Sequence, residues 1–323
     1  MPKTIESAKE IRLISCLGAE FDLPVLPHFL SHYLALGLRP EHIHIIINAP
    51  RQDQPEIATA IETLREFGVE PFEIWVEPYT SDAMWQKRRE VQARVAAPAD
   101  WIVTADIDEF HEYPLPLLDF IRACEKRGVD CVQGPFIDRL SPDGRLAAVM
   151  PSPPINEQFP IQTDVICATR SRDPAPGWWY GTVKLMLMRG DIFPSRGGHH
   201  PQGGGQEPAY LYGRPLAELP FITRPAMRFA LPTAVHHYKW TDAMLRSSKR
   251  RLATPGASPA GSAYGRQLID LFQSKGRFDV VSSARRTTAL RPIPWHTRIC
   301  ILRALAGVGD KVRAARKRVG FST

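Results

Sequence analysis

The chain has 323 residues, 44% apolar and 23% charged, which suits a globular body with a sizeable core and excludes disordered or fibrous classes. No window approaches the ~18 consecutive apolar residues of a membrane span, and the acid-bearing start Met1-Pro2-Lys3-Thr4-Ile5-Glu6-Ser7 lacks the apolar stretch of a secretory signal. The charge of +7 gathers at the end, where Arg285, Arg286, Arg291, Arg298, Arg303, Lys311, Arg313, Arg316, Lys317 and Arg318 meet only Asp310, so the near-neutral body offers no nucleic-acid groove.

The first 135 residues alternate strand and helix signals. Ile11 to Leu17 predicts a buried strand, and Leu26, Phe29, Leu30, Tyr33 and Leu34 recur at helical spacing over 24–36 until Gly37. Ile43 to Ile47 predicts a second strand, Glu56 to Phe67 a helix closed by Gly68, and Phe72 to Val76 a third strand. A charged helix over 82–96 follows the cap-like Thr80-Ser81-Asp82. Then come a strand over 101–105, a helix over 117–126 ending at Gly128, and a strand over 129–132. Beyond Pro135, segments 161–168, 180–189 and 228–238 read as strands between Pro- and Gly-rich loops. Residues 242–252 read as helix, 253–263 as a Pro/Ala/Gly/Ser linker, and the rest as a basic helical tail.

Strands and helices in alternation predict an α/β protein with a mixed, mostly parallel central sheet flanked by helices. The expected organisation is a body over 1–255, its parts about 10–135 and 136–255, followed by a linker and tail over 256–323. Ligands of such sheets bind beyond the carboxyl ends of the strands, which puts the residues after Ala105 in the cleft. The five scattered cysteines (Cys16, Cys124, Cys131, Cys167, Cys300) form no C-x-x-C pair and read as reduced thiols of a cytoplasmic protein.

The segment Asp106-Ile107-Asp108-Glu109-Phe110 follows the strand directly. Three carboxylates in four residues repel one another unless a cation offsets them. Strand alternation puts Asp106 and Asp108 on one side, a hard-oxygen pair suited to magnesium or manganese and to a substrate diphosphate.

Trp101-Ile102-Val103-Thr104-Ala105-Asp106-Ile107-Asp108-Glu109-Phe110 resembles the strand and D-x-D element of GT-A glycosyltransferases, in particular a family 2-like group with a D-x-D-E-F form. Similar segments flank it: Leu13 to Glu20, Pro27 to Tyr33, Gly134 to Arg139, Glu157 to Pro160, Val183 to Met186, Gly197 to His200, and Val235 to Trp240. The resemblance spans about residues 11–252 and rests on the order of the segments. It implies a GT-A fold and a hexosyltransferase, inverting as family 2 members usually are, with a nucleotide-sugar donor (UDP-linked) and a glycan, lipid or protein acceptor. Asp106 and Asp108 would hold the metal, with Asp106 also reaching the ribose. His236 or His237, with His236 the first choice, would supply a late imidazole ligand. Glu20, Asn48 and Lys184 would face the donor, and His199 and His200 a loop over it. For the general base the family position falls near Gln206-Glu207, where its Glu-Asp pair is missing, leaving Glu207 and Asp138 as candidates.

Other patterns read more plainly. His28 and His32 are i, i+4 on a polar helix face, and Lys87, Arg88 and Arg89 form a charged one. The tail, with the apolar stripe Ile299, Leu302, Leu305, reads either as a peripheral contact with anionic lipid at the inner membrane surface or as a helix packed on the body. A metal-dependent phosphohydrolase or nuclease, and a non-catalytic nucleotide- or membrane-binding protein, are the competing functions.

Overall fold

The computed structural model describes residues 10–170, 178–203, 207–219, 222–253, 259–283 and 293–318. Strand β1 (Ile11–Gly18) passes through the single turn α1 (Ala19–Asp22) into α2 (Leu26–Ala35). The alternation continues with β2 (Ile43–Ala49), α3 (Pro55–Glu66), β3 (Phe72–Val76), α4 (Ser81–Val95) and β4 (Trp101–Thr104). Strands β1, β2 and β4 are nearly continuous apolar runs because both faces of the sheet are covered. Leu13 and Leu17 face α2 and α3 within the larger core, while Ile14 and Cys16 meet Met84 and Trp85 of α4 on the other side. Helix α3 opens on Pro55 and closes before Gly68 at φ 72°. Helix α4 is capped by Thr80, whose hydroxyl accepts a hydrogen bond from the Ala83 amide at 3.3 Å.

Next come β5 (Glu109–Glu112), α5 (Leu117–Glu125), β6 (Cys131–Leu140), α6 (Ile155–Gln158), β7 (Ile161–Thr163) and α7 (Val165–Arg170). They are followed by β8 (Val183–Arg189), the short hairpin β9 (Phe193–Pro194) and β10 (Pro201–Gln202), α8 (Pro225–Ala230), β11 (Ala234–His237) and α9 (Ala243–Ala253). Helices α10 (Pro259–Lys275), α11 (Val280–Ser283) and α12 (Trp295–Arg318) end the chain. The nine-stranded sheet has the order β3-β2-β1-β4-β8-β6-β11-β5, with β7 on β6. Six strands (β1, β2, β3, β4, β6 and β11) point the same way, while β5, β7 and β8 oppose them. The α/β class and the mixed, mostly parallel sheet between helices are as the alternation predicts.

The second half departs from its expected elements. Strand β6 runs to Leu140 because its polar residues Gln133, Asp138 and Arg139 are buried and hydrogen-bonded, which hides a strand from hydropathy. Segment 161–168 divides into β7 and the helix α7, and segment 228–238 divides at Pro232 into α8 and β11. Of the expected linker, residues 254–258 lie outside the described residues, and from Pro259 the chain is helix. Leu268 and Phe272 of α10, then Phe278, join the main core, as do Ile299, Leu302 and Ala306 of α12. The tail stripe therefore packs inward, except for Leu305, which is 42% exposed. Among the described residues no helix is long and apolar enough to cross a membrane.

Candidate functional site

Between β4 and β5 the chain makes a tight turn. The Glu109 amide donates to the Asp106 carbonyl at 2.9 Å, and the Asp106 amide donates to Glu109 Oε2 at 3.0 Å. The Tyr238 amide, just past β11, donates to the Asp108 carbonyl at 2.7 Å and ties the turn to that strand. A cavity of about 270 Å³ opens here, at the carboxyl ends of β1, β2, β4 and β11. Asp106, Asp108 and His237 form its floor, Asn48, Pro50, Pro78 and Tyr79 one side, and α1 with α9 the other. This is where the parallel-sheet rule puts a ligand.

Beneath the floor lies a layer of compensated charge. Asp106 Oδ1 accepts from Arg88 Nη1 at 2.6 Å and Asp106 Oδ2 from Lys184 Nζ at 2.8 Å. Lys184 Nζ also lies 2.8 Å from Glu109 Oε1. Arg88 donates further to the Ile14 carbonyl, Thr104 Oγ1 and the Ala105 carbonyl. Both cations pack against Trp85, at 4.4 and 5.1 Å from the ring centroid. Burial alone would raise the Asp106 carboxyl, but Lys184 and Arg88 outweigh it and hold the acid well below the carboxylate range. Glu109 is pushed up to about 7 by burial and by the neighbouring Asp106, against the pull of Lys184.

The second group is a relay. Asp138, fully buried, accepts from the Trp240 indole at 2.8 Å and from the Ile166 amide at 2.7 Å, and its Oδ1 lies 3.2 Å from His237 Nδ1. His237 Nε2 turns to Asp108 Oδ2 at 3.4 Å. Burial works against the imidazolium, yet Asp108 and Asp138 raise it to about 9, and His237 in turn holds Asp108 low against the effect of burial.

Asp108, Glu109 and His237 each turn one ligand atom into the same space, all within 4.8 Å of one another. Two carboxylates and one imidazole fit a divalent cation such as manganese, and a carboxylate behind the imidazole is the usual second layer of such a site. The carboxylates of Asp106, Asp108, Glu109 and Asp138 outnumber the cations Arg88, Lys184 and Lys239 that offset them, which suits a bound cation.

Several expected roles change. Asp106 lines the cavity with its two oxygens taken by Arg88 and Lys184, while Glu109, itself held by Lys184 and the Asp106 amide, lies within ligand distance of Asp108 and His237. His236 turns away to Glu112 Oε2, at 2.8 Å, because strand alternation aligns His237, not His236, with Glu109. Lys184 is 2% exposed and sealed under the floor, so it is a counter-charge and no phosphate contact. Asp138 is enclosed by its three partners, which removes it from any acceptor hydroxyl and leaves it positioning His237. Glu207 is exposed beside Arg127, Gly128 and Tyr210, at the amino end of β6, and does not reach the cavity; Gln206 lies outside the described residues. Asn48 is on the wall, its amide group spent on the Trp75 and Glu77 carbonyls. Glu20 is on the wall and ion-paired to Arg250 of α9. His199 folds back onto the Val183 carbonyl instead of covering the cavity, and His28 and His32 bond the Met150 and His111 carbonyls. Arg88 was hidden in its charged helix, although Met84, Trp85, Arg88, Val91 and Gln92 trace the helical spacing of a buried stripe.

No family model matches the chain, and no curated protein does. Similar solved structures include a crystal structure of S. aureus TarS 1-349, with 8% identity and a TM-score of 0.30 over 90% of this chain and 78% of that one. The same TarS fragment in complex with UDP-GlcNAc gives 10% identity and a TM-score of 0.31 over 90% and 79%.

Proposed function

We propose that the protein is a metal-dependent glycosyltransferase whose cavity takes a nucleotide-sugar donor, UDP-linked by the D-x-D-E-F resemblance. The observation that carries this reading is the convergence of Asp108 and His237 on the floor of a cavity at the carboxyl ends of parallel strands, with the buried Glu109 beneath them, its ligand atom within 4.8 Å of theirs. The donor set favours manganese, with magnesium the alternative. When bound, such a cation supplies Lewis-acid neutralisation of the diphosphate as the glycosidic bond breaks. The chain's own residues prepare that end of the reaction. Asp138 fixes the ring of His237, Lys184 and Arg88 hold the acidic turn rigid, and Asn48 with Pro50, Pro78 and Tyr79 walls the space for the nucleoside.

Thermal-shift titration with UDP-sugars, with and without manganese, tests the proposal. Metal-dependent stabilisation of the wild type, lost in Asp108→Ala, is expected, together with slow release of UDP and no inorganic phosphate. A wild type that no nucleoside diphosphate stabilises would sink the reading, as would an Asp108→Ala variant that responds like the wild type. Inorganic phosphate as product would instead mark a phosphohydrolase.

A further inference from the structure

The cavity is an awkward place for a dianionic diphosphate. Glu20 and Asp22 of α1 add to the carboxylates of the floor, and the strongest nearby cations, Arg88 and Lys184, lie beneath it, already engaged by Asp106 and Glu109. Besides His237, the described residues put two cationic side chains on the wall: Lys239, just after β11, and Arg250 of α9. Ala243, Met244, Ser247 and Arg250 follow helical spacing, so one face of α9 looks into the cavity with Arg250 farthest along it. From there Arg250 reaches across the mouth to Glu20 of α1. Both partners are partly exposed, their side chains 44% and 35% accessible. A pair of that kind is weak and screened by salt, whereas a guanidinium binds phosphate oxygens through short, charge-assisted and often bidentate hydrogen bonds.

We propose that Arg250 is a diphosphate-binding residue held in waiting by Glu20, and that donor binding exchanges the Glu20 carboxylate for phosphate oxygens. The proposal rests on the reading of the cavity as a nucleoside-diphosphate site. It also reverses the role expected for Glu20, which competes with the ligand for Arg250 instead of contacting the nucleotide. Lys239, close enough to Asp108 to help hold it ionised, is the second cation facing the same space.

Isothermal titration with UDP and with uridine, each with manganese, tests this on the wild type, Arg250→Ala and Glu20→Gln. Uridine has no phosphate and reports the rest of the cavity. Arg250→Ala is expected to weaken UDP by about tenfold or more, the size of one lost charged hydrogen bond, and to leave uridine unchanged. Glu20→Gln is expected to tighten UDP severalfold by removing a carboxylate that competes with the ligand for Arg250. These opposite signs cannot both arise from a loosened fold. UDP binding that is unaltered in Arg250→Ala, or weakened by Glu20→Gln, overturns the proposal while the nucleotide site stands. A wild type that binds neither ligand overturns the nucleotide site itself.

Discussion

Asp138 and Lys184 show how far single residues in this site depend on what surrounds them. Asp138 keeps an acceptor oxygen at His237 Nδ1, so that Nε2 is the atom presented to the ligand space. Asp138→Asn offers an amide in place of that acceptor and is expected to lower manganese affinity ten- to a hundredfold, whereas Glu207→Gln leaves it unchanged; calorimetric titration with the metal measures both. Lys184→Met leaves the buried Glu109 without its cation and Asp106 with Arg88 alone, and is expected to cost roughly 3–5 kcal/mol in urea unfolding, the usual penalty for breaking one side of a buried ion pair. The sequence places Asp108 through the D-x-D pattern alone. Glu109 counts there among the three crowded carboxylates but not as a ligand, because the short strand β5, Glu-Phe-His-Glu, has no hydropathy signal to set its direction. The choice between His236 and His237 turned on strand register, which one sequence does not contain.

At the scale of elements, the legible parts were those with a single periodicity. β1 to β4 and α2 to α5 fall within a few residues of their expected ends because apolar runs, caps and closing glycines agree. β6, β7 and α8 depart from their expected bounds where buried polar side chains or a proline interrupt the run. The contacts that dock the C-terminal helices were likewise silent in the sequence, being long-range. One runs through Gly144, at φ 74°, whose carbonyl accepts from the Phe278 amide at 2.9 Å. A Cβ there would come within 2.3 Å of the Phe278 carbonyl oxygen. Gly144→Ala combines a left-handed backbone with a clash against main chain and is expected to destabilise by about 1–3 kcal/mol. It should also loosen Phe278 from Trp240, which tryptophan fluorescence and denaturant unfolding would register.

Across the whole molecule the buried histidines set a pH profile. His32 and His44 are lowered to about 4, chiefly by burial, and His111 is lowered further. All three are neutral in the folded chain while the unfolded chain protonates near 6.5. Each therefore contributes stability that is present above 6.5 and lost as pH falls toward the folded value. Glu109, raised to about 7, and Asp164, also raised by burial, act in the opposite direction, two protons against those of the three histidines together with His42 and His200, which burial lowers as well. His237, raised to about 9, contributes below 6.5 and loses that contribution as pH rises to 9. Metal-free protein is thus expected to be most stable near pH 6.5, falling on both sides in melting-temperature scans. Saturating manganese removes the alkaline fall, because a metal-bound imidazole has already given up its proton.

The order of strands has one more consequence. Glu109 and His237 are register partners on β5 and β11, the two strands at one margin of the sheet, yet 237 − 109 = 128 residues separate them along the chain. A cation bridging them would act as a reversible cross-link that closes a very long loop and clamps an outermost strand to its neighbour. Its imprint should reach beyond ligand affinity to local opening. Amide protons in β5 and β11 are expected to exchange with deuterium more slowly when manganese is present, while those of β3, at the opposite margin, keep their rates. Mass-spectrometric exchange would reveal that asymmetry, and protection spread evenly over both margins would argue against a clasp at this seam.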